Sequence, residues 1–175
     1  MTEFHQILQH LKQPEYVHVL LNPLPVYATG TGVLALVLAL LLRSRHAQIV
    51  ALVLIIVGCG SVWPVEEFGE RGYDRVYSMS NSRDAQQWLD EHAHRADTAA
   101  PAFYVTAALA LAAIVVGWKI PKTALPLAVS ALVGAVVCLA LGGWISHAGG
   151  QVRHGEFRDG PPPQIRTRQH EEHEH

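Results

Sequence analysis

Apolar positions fall in four long blocks, and the polar positions are crowded between and beyond them. No Asp, Glu, Lys or Arg occurs from Tyr16 to Leu42, from His46 to Val65, from Thr98 to Trp118, or from Thr123 to Val152. A helix that crosses the hydrocarbon core of a bilayer needs about 20 predominantly apolar residues, and each block meets that length. The pattern predicts spans near 22–42, 46–64, 100–119 and 123–147. A soluble bundle would alternate polar and apolar faces along each helix, whereas VLALVLALLL and AQIVALVLIIV are apolar all round. The expected fold class is therefore all-α, an integral membrane four-helix bundle in a lipid bilayer, with a short helical extramembrane loop between the second and third spans.

The polar segments have patterns of their own. In the N-terminal segment, 1–15, Phe4, Ile7, Leu8 and Leu11 share one face of a short amphipathic helix suited to the membrane surface. Pro14 is expected to end it. This polar stretch, with Glu3, Lys12 and Glu15 before the first apolar block, lacks the basic leader of a cleavable signal peptide, so none is expected. In the 65–99 loop, Ser82 can cap a helix over Arg83–Thr98, with Asp84 in its first turn. On that helix Ala85, Trp88, Leu89, His92 and Ala96 form one face, and Gln87, Glu91 and His94 the other. Pro101 suits the first turn of the third span. Residues 66–77 read as a second polar segment, helical in part despite two glycines. The domain of four spans covers 16–158. The tail, 159–175, opens on Asp-Gly-Pro-Pro-Pro and continues as a short polar His/Glu-rich stretch, expected to be disordered.

Charge divides the two ends of the bundle. The first two spans are joined by Arg43-Ser44-Arg45 and the last two through Lys119-Ile120-Pro121-Lys122, two tight turns with four basic and no acidic residues. All 15 acidic residues lie at the opposite end. Short loops rich in Lys and Arg tend to stay in the cytoplasm. The turn end is thus expected on the cytoplasmic side of a bacterial inner membrane, with both termini and the 65–99 loop periplasmic. The charged share of 16%, against about 25% in ordinary soluble chains, comes from the four charge-free blocks. A net charge of -2 excludes a strongly basic nucleic-acid binder. Two cysteines exclude a disulfide-rich scaffold. Cys59 and Cys138 fall inside the second and fourth spans at similar depth, where they read as small packing residues for which a mutual contact is conceivable.

Histidine carries the candidate chemistry. Ten of 11 histidines lie at the acidic end, and only His46 lies at the turn end. Span topology alone gathers His18, His92, His94, His147 and His154 there, with Glu66, Glu67 and Glu70 leaving the second span on the same side. Imidazole is an axial ligand of haem b and the commonest transition-metal ligand. A bis-histidine haem takes one imidazole from each of two facing helices, and three or four His with a carboxylate suit zinc, copper or non-haem iron. The plainer alternative is that these residues occupy the wet membrane boundary or cap helix ends. His18 opens an apolar run, and His92 lies on the apolar face of its helix, where an imidazole needs a partner. His147 and His154 share a face only if the helix runs through Gly149-Gly150, which glycine disfavours. No nucleophile elbow, phosphate loop, HExxH or CxxC is present, so no catalytic residue is assigned.

The stretch GGQVRHGEFR, Gly149–Arg158, resembles the C-terminal signature of a family of small four-helix bacterial membrane proteins related to domain of unknown function 2231. HVLLNPLPVYATGTG resembles that family's entry to its first helix. WPVEEFGERGYDRV and DEHAHRAD stand where relatives carry a Gly-Glu-Glu segment and a His-containing entry to the third helix. The resemblance spans about 16–158. It implies a four-helix membrane fold and points to His18, one of His92 or His94, and His154, with Glu67 or Glu70 and Glu156. It implies no established activity.

Residues and resemblance together give a candidate cofactor site of His18, His92, His94 and His154. The candidate metal set is His18, Glu67, Glu70, His92 and His154. The expected function is binding of haem b or a transition metal for electron transfer or redox sensing. The alternative is a non-catalytic accessory subunit of a larger membrane protein complex, respiratory or photosynthetic.

Overall fold

A computed structural model describes residues 3–80 and 82–163. Its α-helices are α1 (Glu3–His10), α2 (Pro14–Leu21), α3 (Leu24–Leu41), α4 (Arg45–Gly60), α5 (Val62–Met79), α6 (Arg83–Lys119) and α7 (Ala124–Arg153). Short 3-10 turns follow at Pro121–Thr123 and Gly155–Phe157. Among the described residues there is no strand, and four helical stretches are long and apolar enough to cross a membrane. The all-α membrane bundle expected from the four charge-free blocks is what the chain forms. The tail expected to be disordered lies, from residue 164 onward, outside the described residues.

Helices α3, α4, α6 and α7 form a ring in which α3 packs on α4, α4 on α6, α6 on α7, and α7 back on α3. The inward stripe of α6 is Ala99, Phe103, Thr106, Ala110, Ala113 and Gly117. That of α7 is Ala124, Ala128, Ala131, Ala135, Cys138 and Gly142. Both step four, three, four, three, four, the spacing that keeps one seam facing a partner helix. Most of these side chains are small. Large ones, Leu125, Val129, Val133, Val136 and Val137 among them, point outward and are exposed. A water-soluble core is built the other way round. Helices in lipid gain little by burying leucine against leucine and much by close van der Waals approach, which small residues permit.

The closest approaches run through threonine and glycine. A Cβ on Gly58 would stand 2.4 Å from Thr29 Oγ1 and 2.5 Å from the Thr29 backbone nitrogen. A Cβ on Gly134 would stand 2.6 Å from Thr106 Oγ1. Beside these crossings Thr29 Oγ1 meets Cys59 Sγ at 3.7 Å, and Cys138 Sγ donates to Thr106 Oγ1 at 3.3 Å. Small polar side chains therefore pair across α3 and α4 and across α6 and α7, and both cysteines are free and buried.

The polar segments differ from expectation in ways that shape the site. The 65–99 segment is a helical hairpin extending the bundle. Its first arm, α5, is continuous from Val62 to Met79 and departs from α4 only at Ser61, whose hydroxyl donates to Gly58 O at 2.7 Å. Pro64 deprives α4 of the backbone bond that would have carried it straight on. The second arm is the first half of α6, which runs 37 residues without a break. Pro101 sits inside it rather than in its first turn, because its neighbours Ala99, Ala100 and Phe103 are buried and hold the helix across one missing bond. Ser82 does cap α6, accepting from the Ala85 N–H at 3.1 Å. At 1.5 Å per residue α6 is about 55 Å long, well beyond the ~30 Å hydrocarbon, so Arg83–Asp97 projects past the bilayer. Pro14 likewise opens α2 instead of closing α1. Ile7, Leu8 and Leu11 of the N-terminal segment remain exposed, as an interfacial helix requires.

Gly58→Ala is expected to destabilise the bundle by about 1–3 kcal/mol through overpacking. Gly60→Ala, where an added Cβ meets nothing within 4 Å, is expected to be neutral or slightly stabilising. Reversible unfolding in mixed detergent, followed by circular dichroism, distinguishes the two.

Candidate functional site: a histidine pair at the end of the bundle

The hairpin α5–α6, the short helix α2 and the overhanging end of α7 make a cap on the acidic end of the ring. α2 lies along α5, with Gly72 letting the Glu15 backbone approach to where a Cβ would be 2.9 Å from its nitrogen. Arg75 and Glu15 form an ion pair at 2.8 Å across the same contact. Tyr73 donates to Asp90, which joins α5 to α6. Tyr104 donates to Glu66 Oε2 at 2.6 Å lower down the same interface.

Two histidines meet inside this cap. His18, from the middle of α2, places Nδ1 2.8 Å from the Val65 carbonyl of α5. His92, from α6, places Nδ1 3.0 Å from the Ile145 carbonyl of α7. A carbonyl oxygen can only accept, so Nδ1 carries the proton in both rings. In the neutral imidazole this leaves Nε2 as a free lone pair, the tautomer of a metal- or haem-ligating histidine. The ring centroids stand 6.3 Å apart with planes at 81°. Each ring sits over a glycine. A Cβ on Gly69 would be 2.9 Å from His18 Nδ1, and one on Gly149 would be 3.1 Å from His92 Nδ1. Four separate elements, α2, α5, α6 and α7, thus orient two imidazoles.

Gly149 also explains a departure from expectation. The glycine pair does not stop the last helix; α7 runs through it to Arg153. Each glycine weakens a helix by about 0.5–1 kcal/mol, but the His92 contact needs a residue without a side chain there. His147 is exposed on α7. His154 caps the helix, contacts Glu156 Oε1 at 3.0 Å and stacks on Phe157, pointing into solvent. The Glu156 carboxyl lies below the usual carboxylate range, held there first by its own backbone N–H and then by His154. His94 is exposed on the outer face of α6. Glu67 pairs with Arg71 at 2.5 Å, and Glu70 is exposed. Among the described residues no three His, Cys, Asp or Glu side chains come together to hold a metal ion. Of the sequence candidates the fold therefore joins His18 and His92, and it engages His154 and Glu67 with other partners.

Beside His92 lies a buried ion pair that the helical-face reading misassigned. Glu91, expected on the polar face with His94, is buried. Arg95 Nε donates to Glu91 Oε1 at 2.5 Å, both side chains being 11% exposed. Arg95 Nη1 donates to the Trp144 carbonyl at 2.8 Å, and the guanidinium lies 4.8 Å from the Trp144 ring centre. The signal was present in the span itself. Extending the inward stripe of α6 back from Ala99 in steps of four and three reaches Arg95, then His92 or Glu91, then Trp88, which is buried. No known protein family, no curated protein and no solved structure matches the chain.

Removing one partner from a buried ion pair strands the other charge. Glu91→Ala is expected to destabilise the folded protein by about 3–5 kcal/mol. The double variant Glu91→Ala/Arg95→Leu is expected to regain most of that loss, as measured by the same detergent unfolding.

Proposed function

We propose that this protein is a membrane cytochrome-like carrier in which His18 and His92 would hold a haem b. The observation that carries the reading is the matched pair of Nδ1–H donors on neighbouring rings, which leaves an Nε2 lone pair on each. The two rings stand 6.3 Å apart between centres, close enough that His18 and His92 would be the residues to hold such a group. The two-ligand demand of haem b fits a pair of histidines. A tetrahedral metal site needs a third and fourth ligand, which favours haem over zinc, copper or non-haem iron.

When bound, haem b supplies a one-electron couple. The work of the chain is to hold it. Val65 O and Ile145 O fix the tautomer and ring orientation of the two ligands, and second-shell acceptors of this kind raise ligand basicity. Gly69 and Gly149 keep the rings at their depth. The buried Arg95, held by Glu91, places a fixed dipole and charge pair one turn from His92. The charge-free spans offer no path for ions, so electron transfer or redox sensing is the reading, not transport. We place the protein in a bacterial inner membrane with the Arg/Lys turn end in the cytoplasm, as a member of the four-helix family that its GGQVRHGEFR stretch resembles.

Protein purified in detergent after expression with haem supply is expected to be coloured, with a Soret band that shifts on dithionite reduction. His18→Ala and His92→Ala are each expected to abolish the low-spin spectrum, while His94→Ala and His154→Ala retain it. A colourless wild-type preparation overturns the reading. If such a preparation co-purifies with a stable partner that His18→Ala and His92→Ala also retain, it supports the accessory-subunit role instead.

A further inference from the structure

We propose that the turn end of the bundle carries a binding site for one anionic glycerophospholipid, with Arg45 as the cation that holds its phosphate. The site is a cleft of about 540 Å³ between α4 and α6, lined by Arg45, His46, Ile49, Ile114, Val115 and Trp118. It lies at the opposite end of the bundle from the histidine pair and is independent of it.

The guanidinium of Arg45 is built into the wall. Its Nη2 donates to the Ala113 carbonyl at 2.8 Å. A Cβ on Gly117 would stand 2.9 Å from that nitrogen, so the absence of a side chain there admits the group. Nη1 is buried and has no hydrogen-bond partner in the protein. A buried charged donor left unpaired is costly, and among the described residues no carboxylate pairs with Arg45. The acidic residues among those described lie at the far end, the nearest in sequence being Glu15 and Glu66. Glu66 is 21 residues along from Arg45, about 30 Å at helical rise. An anion from outside the chain would supply the counter-charge that the described residues do not.

The surroundings select a lipid over a free ion. Ile49, Ile114 and Val115 give the cleft apolar walls suited to an acyl chain. Trp118, 84% exposed, stands at the end of α6 where aromatic side chains mark the headgroup layer. His46 and the nearby Arg43, Lys119 and Lys122 make this end cationic throughout, and basic pockets between membrane helices take anionic headgroups. Arg presents a planar fork that matches phosphate oxygens.

The test uses delipidated full-length protein in a neutral detergent, with thermal unfolding and native mass spectrometry as readouts. Added phosphatidylglycerol is expected to raise the midpoint by several degrees and to give a one-lipid adduct. Phosphatidylcholine and inorganic phosphate are expected to do neither. Arg45→Gln, which keeps a donor for Ala113 O, and Ile49→Trp, which fills the cleft and leaves the charge, are each expected to lose both effects. Ile49→Trp decides the matter if Arg45→Gln does not fold. An equal shift with phosphatidylcholine, an equal shift with inorganic phosphate, no shift in wild type, or an adduct retained by both variants overturns the proposal.

Discussion

Two helices can bring their backbones together only where neither carries a bulky side chain at the crossing, and that constraint organises this molecule. In lipid, the outward leucines and valines lose nothing by facing the solvent, so the helices are held by close packing. Gly58 under Thr29 and Gly134 under Thr106 are the two places where it is tightest. The hydroxyls of those threonines reach the thiols of Cys59 and Cys138, so the polar atoms at mid-bundle satisfy one another. The seam of α6 against α7 then continues past the bilayer in the same register. That continuation presents Trp88, Glu91, His92 and Arg95 to the overhanging end of α7 instead of to water.

The histidine pair depends on that overhang. Two imidazoles brought side by side need their protons directed, since each ring has one nitrogen that donates and one that accepts. Main-chain carbonyls at Val65 and Ile145 do the directing, and neither can switch role. The carbonyls come from helix interiors, positions where an already bonded oxygen still has a second lone pair to offer. The glycines at 69 and 149 are the complement of this arrangement, since any side chain there would push the rings away.

The two ends of the bundle have opposite electrostatic character for different reasons. At the cap, Glu67, Glu15 and Glu91 are paired with Arg71, Arg75 and Arg95, two of these pairs running along a helix and one between helices. At the turns, cations stand without carboxylates, and the helix ends are closed by backbone geometry. Arg43 takes φ 52, and Ser44 N–H returns to Ala39 O at 3.1 Å, the left-handed ending that usually falls to glycine. An arginine in that position keeps a charge at the membrane surface at a small conformational cost. The protein thereby pairs some of its charges internally at one end and leaves those of the other for its surroundings.

The amino-acid sequence by itself determined the fold class, the number of spans and the separation of charge. Those follow from one-dimensional facts: the length of runs without charge, and the composition of the turns. It also determined that His18 and His92 stand at one end, because antiparallel spans put them there. Which histidines meet was decided only in three dimensions. His92 and His94 are two residues apart, and a helical rotation of about 200° turns one toward α7 and the other to solvent. His154 carried the most specific motif, yet it ends a helix and faces outward. Helix ends were misplaced where glycine and proline stood, at Pro14, Pro101 and Gly149. Their local preferences, of about 1–3 kcal/mol, gave way to packing against residues distant in the chain.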